Sequence, residues 1–380
     1  TVDAAALREW AQTTSKLQAA IDHEQSQNGP RSRALIDLYM SLGLTNQEHG
    51  AQALAVDAFQ LALQAKRAND GLYTLDQAPM LDLLRTNEAA VGDFEAAGRL
   101  QTTLLRLARA NPADPRSVAI WHESGDRELA AYERYLAGGR PGTVTVSVTG
   151  PMGGGGVAGP PDGGALMMAR GSYFAAIRSL VQRGDFGTEE LPALERNLLH
   201  SFYLEVERNR DRGNGDSQGT FVLGEQSYRR LAGYVALNAG TPLELAREIV
   251  GLGDWQLLFS HNGEAVERYD EAYRILVDAG EPEAVIRQLF PTDRPVLLPA
   301  FEPSPFESDE PRADAGYVDL TFEISKYGVG RRIRVADASG AEDGVEKDAV
   351  SMVARNRFRP QPTASYAREA IYRVRYHAAP

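Results

Sequence analysis

Six histidines, His23, His49, His122, His200, His261 and His377, are the first residues to test for metal or acid–base chemistry. No two of them stand in an H-E-x-x-H motif or any other close ligand spacing. His122-Glu123 in "WHES" has no further ligand near it in sequence. No G-x-S-x-G elbow presents a serine nucleophile. The chain has no cysteine, so thiolate catalysis, thiolate metal sites and disulfides are excluded. The glycines of "GPMGGGGVAGPP" are not followed by the Lys-Ser/Thr pair of a phosphate-binding loop. The residues therefore predict a non-enzymatic protein with no metal and no cofactor.

Basic side chains near the C-terminus are the remaining candidates. "RFRP" carries Arg357 and Arg359, and "AIYRVRYH" carries Ile371, Tyr372, Arg373, Val374, Arg375 and Tyr376. Formal net charge is −12, which argues against nucleic acid or an anionic membrane as the main partner. From Tyr317 onward, however, 11 basic side chains face 8 acidic ones, a local excess of about +3. Arginines interleaved with apolar residues fit a basic strip beside an exposed strand edge, where arginine also deters unwanted pairing, or a solvated face. These eight residues are the candidate protein-binding site.

The elements that must position them occupy residues 317–380. "YVDLTFEI" alternates Val318, Leu320, Phe322 and Ile324 to one side. After a turn at "SKYGVG", "RRIRVADA" sends Ile333 and Val335 inward. A helix then presents Val345, Ala349, Met352 and Val353 to the core. Phe358 plugs the core past its end, Pro360 stops it, and Arg357 and Arg359 point to solvent. The last strand turns Tyr372, Val374 and Tyr376 inward and Ile371, Arg373 and Arg375 outward. The expectation is a strand–strand–helix–strand α+β module.

This stretch resembles the C-terminal domain of the TonB family. Val345-Glu346 stands at the family's Leu-Asp, Ala349-Val350 near its alanine pair, and Ser339-Gly340 at its serine-glycine; Phe358 and Pro360 match the Trp-x-Phe-x-Pro closing motif, whose Trp position is Asn356. The resemblance implies a periplasmic protein whose strand at 371–376 docks a partner, such as an outer-membrane receptor or transport component. The family's front anchor and proline-rich spacer have no counterpart here. No apolar run approaches the ~20 residues of a membrane helix, and the first residue is Thr1, as in a chain whose leader has been removed or that was cut from a longer one.

The rest of the chain reads as helical hairpins. In "LAVDAFQLALQAKRAND", Leu54, Ala58, Leu61 and Ala62 share a face, and Ala55 and Ala62 flank Phe59. Gly92–Ala97 is an inter-helix turn, and Leu100, Leu104 and Leu107 continue on the next helix. Leu191, Leu194, Leu198, Phe202 and Val206 form a later stripe. Thr241, Pro242 and Glu244 open a capped helix. Trp10, Trp121 and Trp255 are expected in the core. Ala55-Phe59-Ala62, and Tyr269-Asp270-Glu271-Ala272 taken as a turn and second-helix start, resemble tetratricopeptide repeats.

The fold expected is mainly α: a repeat-like helical hairpin array at 1–137 and 165–290, interrupted by a Gly/Pro-rich loop or linker at 138–164 in which the valine alternation near 146 could form a short strand. A Pro/acid-rich tether at 291–316 precedes the α+β module at 317–380. The function expected is a periplasmic protein-binding scaffold. A subunit of a homo- or hetero-oligomeric envelope assembly and an enzyme without a recognisable motif are the alternatives.

Overall fold

Helix-period apolar spacing becomes helix through most of the chain. The computed structural model describes residues 4–136, 164–211, 218–292, 294–299, 314–339, 344–362 and 368–377. They fall into two compact units, Thr1–Asp185 and Phe186–Pro380.

The first unit contains α1 (Ala4–Asn28), α2 (Ala34–Glu48), α3 (Gln52–Asp70), α4 (Ala78–Val91), α5 (Phe94–Ala110), α6 (Pro115–Leu136) and α7 (Gly164–Arg183). Successive helices pack pairwise, α2 on α3, α4 on α5 and α6 on α7. The first pair closes on Gly43, because a Cβ there would lie 2.4 Å from the Phe59 ring. Only glycine lets the two backbones approach this closely over an aromatic ring. Ala55 and Ala62 flank the ring and are fully buried. The α4–α5 turn is the one expected: Gly92 is left-handed at φ 89° and the Asp93 carboxylate accepts from Ala96 N–H at 2.8 Å.

The same packing recurs where the sequence reading did not find it. Gly125 of α6 meets Tyr173 of α7 as Gly43 meets Phe59, with Ala169 and Ala176 buried beside the ring. Residues 137–163, the glycine-rich stretch, thus join the two helices of one pair. Helix α7, expected to open a second helical region, packs on α6 in the first unit. The valine alternation near 146 lies outside the described residues.

The face expected on α3 needs correction. Ala58 and Ala62 are buried, but Leu54 and Leu61 are 50% and 42% exposed. The buried face centres on Phe59, and at about 100° per residue Leu61 is turned some 200° away from it.

The second unit begins with α8 (Glu190–Asp211), α9 (Gln218–Leu237), α10 (Pro242–Leu258), α11 (Asn262–Asp278) and α12 (Glu283–Leu289). The expected stripe on α8 is buried throughout. Thr241 and Glu244 form the expected capping box at the start of α10. Trp255 is fully buried, and its indole N–H donates to the Phe221 carbonyl at 2.9 Å. Gly253 of α10 seats Tyr269 of α11, with Ala265 and Ala272 buried on either side. Tyr269 therefore sits mid-helix and is no turn residue; the chain turns at Phe259–His261 instead.

The strands follow: β1 (Leu297–Leu298), β2 (Asp314–Ile324), β3 (Gly330–Ser339), then α13 (Val345–Arg355), β4 (Arg357–Phe358) and β5 (Arg368–His377). An antiparallel sheet has the order β3-β2-β5. Val318, Leu320, Phe322 and Ile324 pack with Ala349, Val353 and Phe358, as the alternation predicts. Val335 is the exception: Ile333 packs against the core, but Val335 is exposed. Pairing steps from Asp319↔Asp337 to Leu320↔Val335 and from Thr321↔Arg334 to Glu323↔Arg331, so β3 holds an extra residue at each irregularity. Pairing is regular from Thr321↔Arg334 to Leu320↔Val335, so Val335 stays on the side of the buried Leu320 and is exposed because β3 is a border strand.

The start of the expected tether is also part of the fold. Leu297 pairs with Phe358 and Leu298 with Arg357, and Leu298 is fully buried. Residues 300–313 lie outside the described residues.

Candidate protein-binding edge of the C-terminal sheet

Strand β5 runs along the border of the sheet. Its register with β2 is continuous from Ile324↔Arg368 to Tyr317↔Arg375. Among the described residues, no strand pairs with its other side. Tyr372 and Val374 pack toward the core, and the Tyr372 ring meets Phe358 at 5.9 Å. Ile371 points the other way and is 64% exposed. Arg375 and Tyr376 continue the strand opposite Tyr317 and Gly316.

Arg373 faces outward as predicted, but it already has partners. Its guanidinium makes a two-pronged contact with Asp319 at 2.7 and 2.6 Å and lies 4.0 Å over the Tyr317 ring. The Tyr317 hydroxyl donates to Asp337 at 2.8 Å. Hydrogen bonds from Arg373 hold the Asp319 carboxyl below the usual carboxylate range. A tyrosine, two acids and an arginine therefore clamp the three strands across the outer face.

Arg357 and Arg359 do not join that face. Arg357 lies on β4, half-buried, with its backbone paired to Leu298 and bridged to Val329. Arg359 overturns the expectation of a solvent-facing cation. Its side chain is 11% exposed and meets the 3% exposed Asp254 of α10. Nε donates to Oδ1 at 3.0 Å, Nη2 donates to Oδ2, and Nη1 donates to the Leu289 carbonyl at 2.7 Å. The Tyr269 hydroxyl completes Asp254 at 2.8 Å, and burial beside that carboxylate pushes the Tyr269 phenol well up. The reason is alternation along β4: with Phe358 in the sheet core, its neighbours turn toward the helices behind.

Backbone contacts strengthen this joint. Arg359 N–H donates to Val296 O at 2.9 Å, and Phe358 N–H donates to Gly328 O at 2.9 Å. Gly328, at φ 68°, leaves no room for a Cβ between Phe358 O and Leu257. Sequence reasoning missed Asp254. The signal was there: one acid inside the apolar run "IVGLGDWQLLF" has to find a buried partner.

Among the described residues, no group of three or more His, Cys, Asp or Glu side chains is placed to hold a metal ion. His122 Nε2 lies 3.6 Å from Asp126, and its ring meets Tyr173 edge-on. Trp121 is buried, and Trp10 donates to Asn46 at 3.1 Å. No described helix is long and apolar enough to cross a membrane.

No family model matches the chain, and no curated protein matches it. Among solved structures, it is similar to a crystal structure of BtubC (BKLC) from P. vanneervenii. Identity is 14%, the match covers 74% of this chain and 94% of that one, and the TM-score is 0.36. A likeness this low carries no argument about fold or function.

Proposed function

We propose that this chain is a non-enzymatic protein-binding scaffold of the periplasm whose C-terminal sheet takes up an extended partner segment along β5. The observation that carries this reading is the regular register of β5 with β2 from Ile324↔Arg368 to Gly316↔Tyr376, combined with its open border among the described residues. The other border strand, β3, is interrupted twice, and bulges blunt an edge against pairing. A regular edge offers a continuous row of N–H and C=O groups, and strand addition uses those groups for affinity. The resemblance to the TonB C-terminal domain supports the module's identity and the periplasmic setting. The Gly-aromatic packing with flanking alanines, present in three helix pairs, supports a tetratricopeptide-like array with a groove for a second partner.

The test uses the full chain and two proline variants, Arg373→Pro and Val374→Pro. N–H groups alternate along a strand, so one substitution breaks the pairing with β2 and the other removes a donor from the open side. The variant that keeps the parent melting temperature should lose a partner that the parent retains from envelope extract, identified by mass spectrometry. Equal recovery by that folded variant overturns strand capture.

A further inference from the structure

Within the second unit, a cleft of about 610 Å³ opens between the C-terminal end of α10 and one face of α13. Its size is that of sites that hold a small molecule or a short peptide. Leu258 and Met352 give it an apolar wall, and Arg355 and Arg357 stand beside them. Asp348 is the lone carboxylate on the lining, so two guanidiniums face one acid. Arg355 donates to the Ser351 hydroxyl, and neither arginine has an ion-pair partner among the described residues. By contrast Arg359, two residues on from Arg357, and Arg373 of β5 are both matched to carboxylates.

We propose that this cleft binds a short acidic peptide segment bearing an apolar side chain. Charge complementarity selects the acid: the carboxylates of the ligand supply what Arg355 and Arg357 lack. The wall of Leu258 and Met352 selects the apolar side chain, and a methionine thioether adapts to varied shapes. Asp348 offers an acceptor for a main-chain N–H, which a peptide has and a simple dicarboxylate does not. Capture here works through side chains. Strand β4, which carries Arg357, has its backbone paired to Leu298 and to Val329, so no ladder position is left for a guest strand. The site is thus separate from the β5 border.

The probe is acetyl-Leu-Asp-Glu-Leu-Glu-amide, added to full chain carrying ¹³C-methyl methionine. The expected result is a saturable shift of the Met352 methyl resonance. The Arg355→Glu, Arg357→Glu double variant should bind at least about tenfold more weakly, the effect of losing one charge-assisted hydrogen bond. Arg355→Gln alone, at an exposed position, should give a smaller loss in a folded protein. The folded proline variant of β5 should bind as the parent does, which keeps this outcome distinct from that of the border strand. No shift at Met352, an equal shift with the Asn/Gln version of the peptide, or an equal shift with succinate would each overturn the proposal.

Discussion

Arg359 and Asp254 show how one residue pair can decide the role of a segment. A buried acid with a two-pronged arginine is satisfied, but the pair is costly to break, because removing one partner strands the other charge. Arg359→Met should therefore destabilise the second unit by about 3–5 kcal/mol in urea unfolding. Adding Asp254→Leu should recover most of that loss, since the uncompensated charge is gone. A loss below about 1 kcal/mol in the single variant would mean that the pair does little for stability. His200 gives a pH-dependent case on α8. Burial pulls its pKa from 6.5 to about 4. The folded value lies below the unfolded one, so its contribution is complete above about pH 6.5 and is lost as pH falls toward 4. By linkage that contribution amounts to about 3 kcal/mol. The gap in stability between pH 7 and pH 4.5 should shrink in His200→Gln, measured by denaturant titration at both values.

At the scale of elements, three helix pairs turn on a glycine facing an aromatic ring. Gly43→Ala should destabilise the first unit by about 1–3 kcal/mol through overpacking. Phe59→Leu in the same chain should restore part of it, and unchanged melting of Gly43→Ala would remove the glycine from this role. The helices themselves were readable, because apolar residues three and four apart and the caps at Asp93 and Thr241 are local signals. The pairing of Gly125 with Tyr173 was not, because 27 residues, 137–163, separate α6 from α7 in sequence. Strand β2 was readable from strict alternation. The two irregularities of β3 were not, because a bulge is a property of two paired strands rather than of one.

At the scale of the whole molecule, the α+β module is continuous with the helices before it. Its strand β4 pairs with β1, and its Arg359 lies in the core of the α10–α11 pair. Residues 186–380 expressed alone should therefore melt cooperatively, whereas 317–380 should not, since that fragment lacks Leu297, Leu298 and Asp254. Cooperative melting of 317–380 by circular dichroism would show that the module stands without these contacts. Local sequence determined the class of each element: periodicity of 3.6 or 2, caps, prolines and the plug at Phe358 all act within a few residues. Simple alternation also determined the facing of Ile371, Tyr372, Arg373 and Val374 on β5. Only the tertiary structure decided where the charges go. Arg357, Arg359 and Arg373 look equivalent in sequence, yet one lines a cleft, one is buried on Asp254 and one is clamped to Asp319. Their environments come from strands and helices distant in the chain, and burial and charge pairing depend on what lies across the interface rather than beside it in sequence.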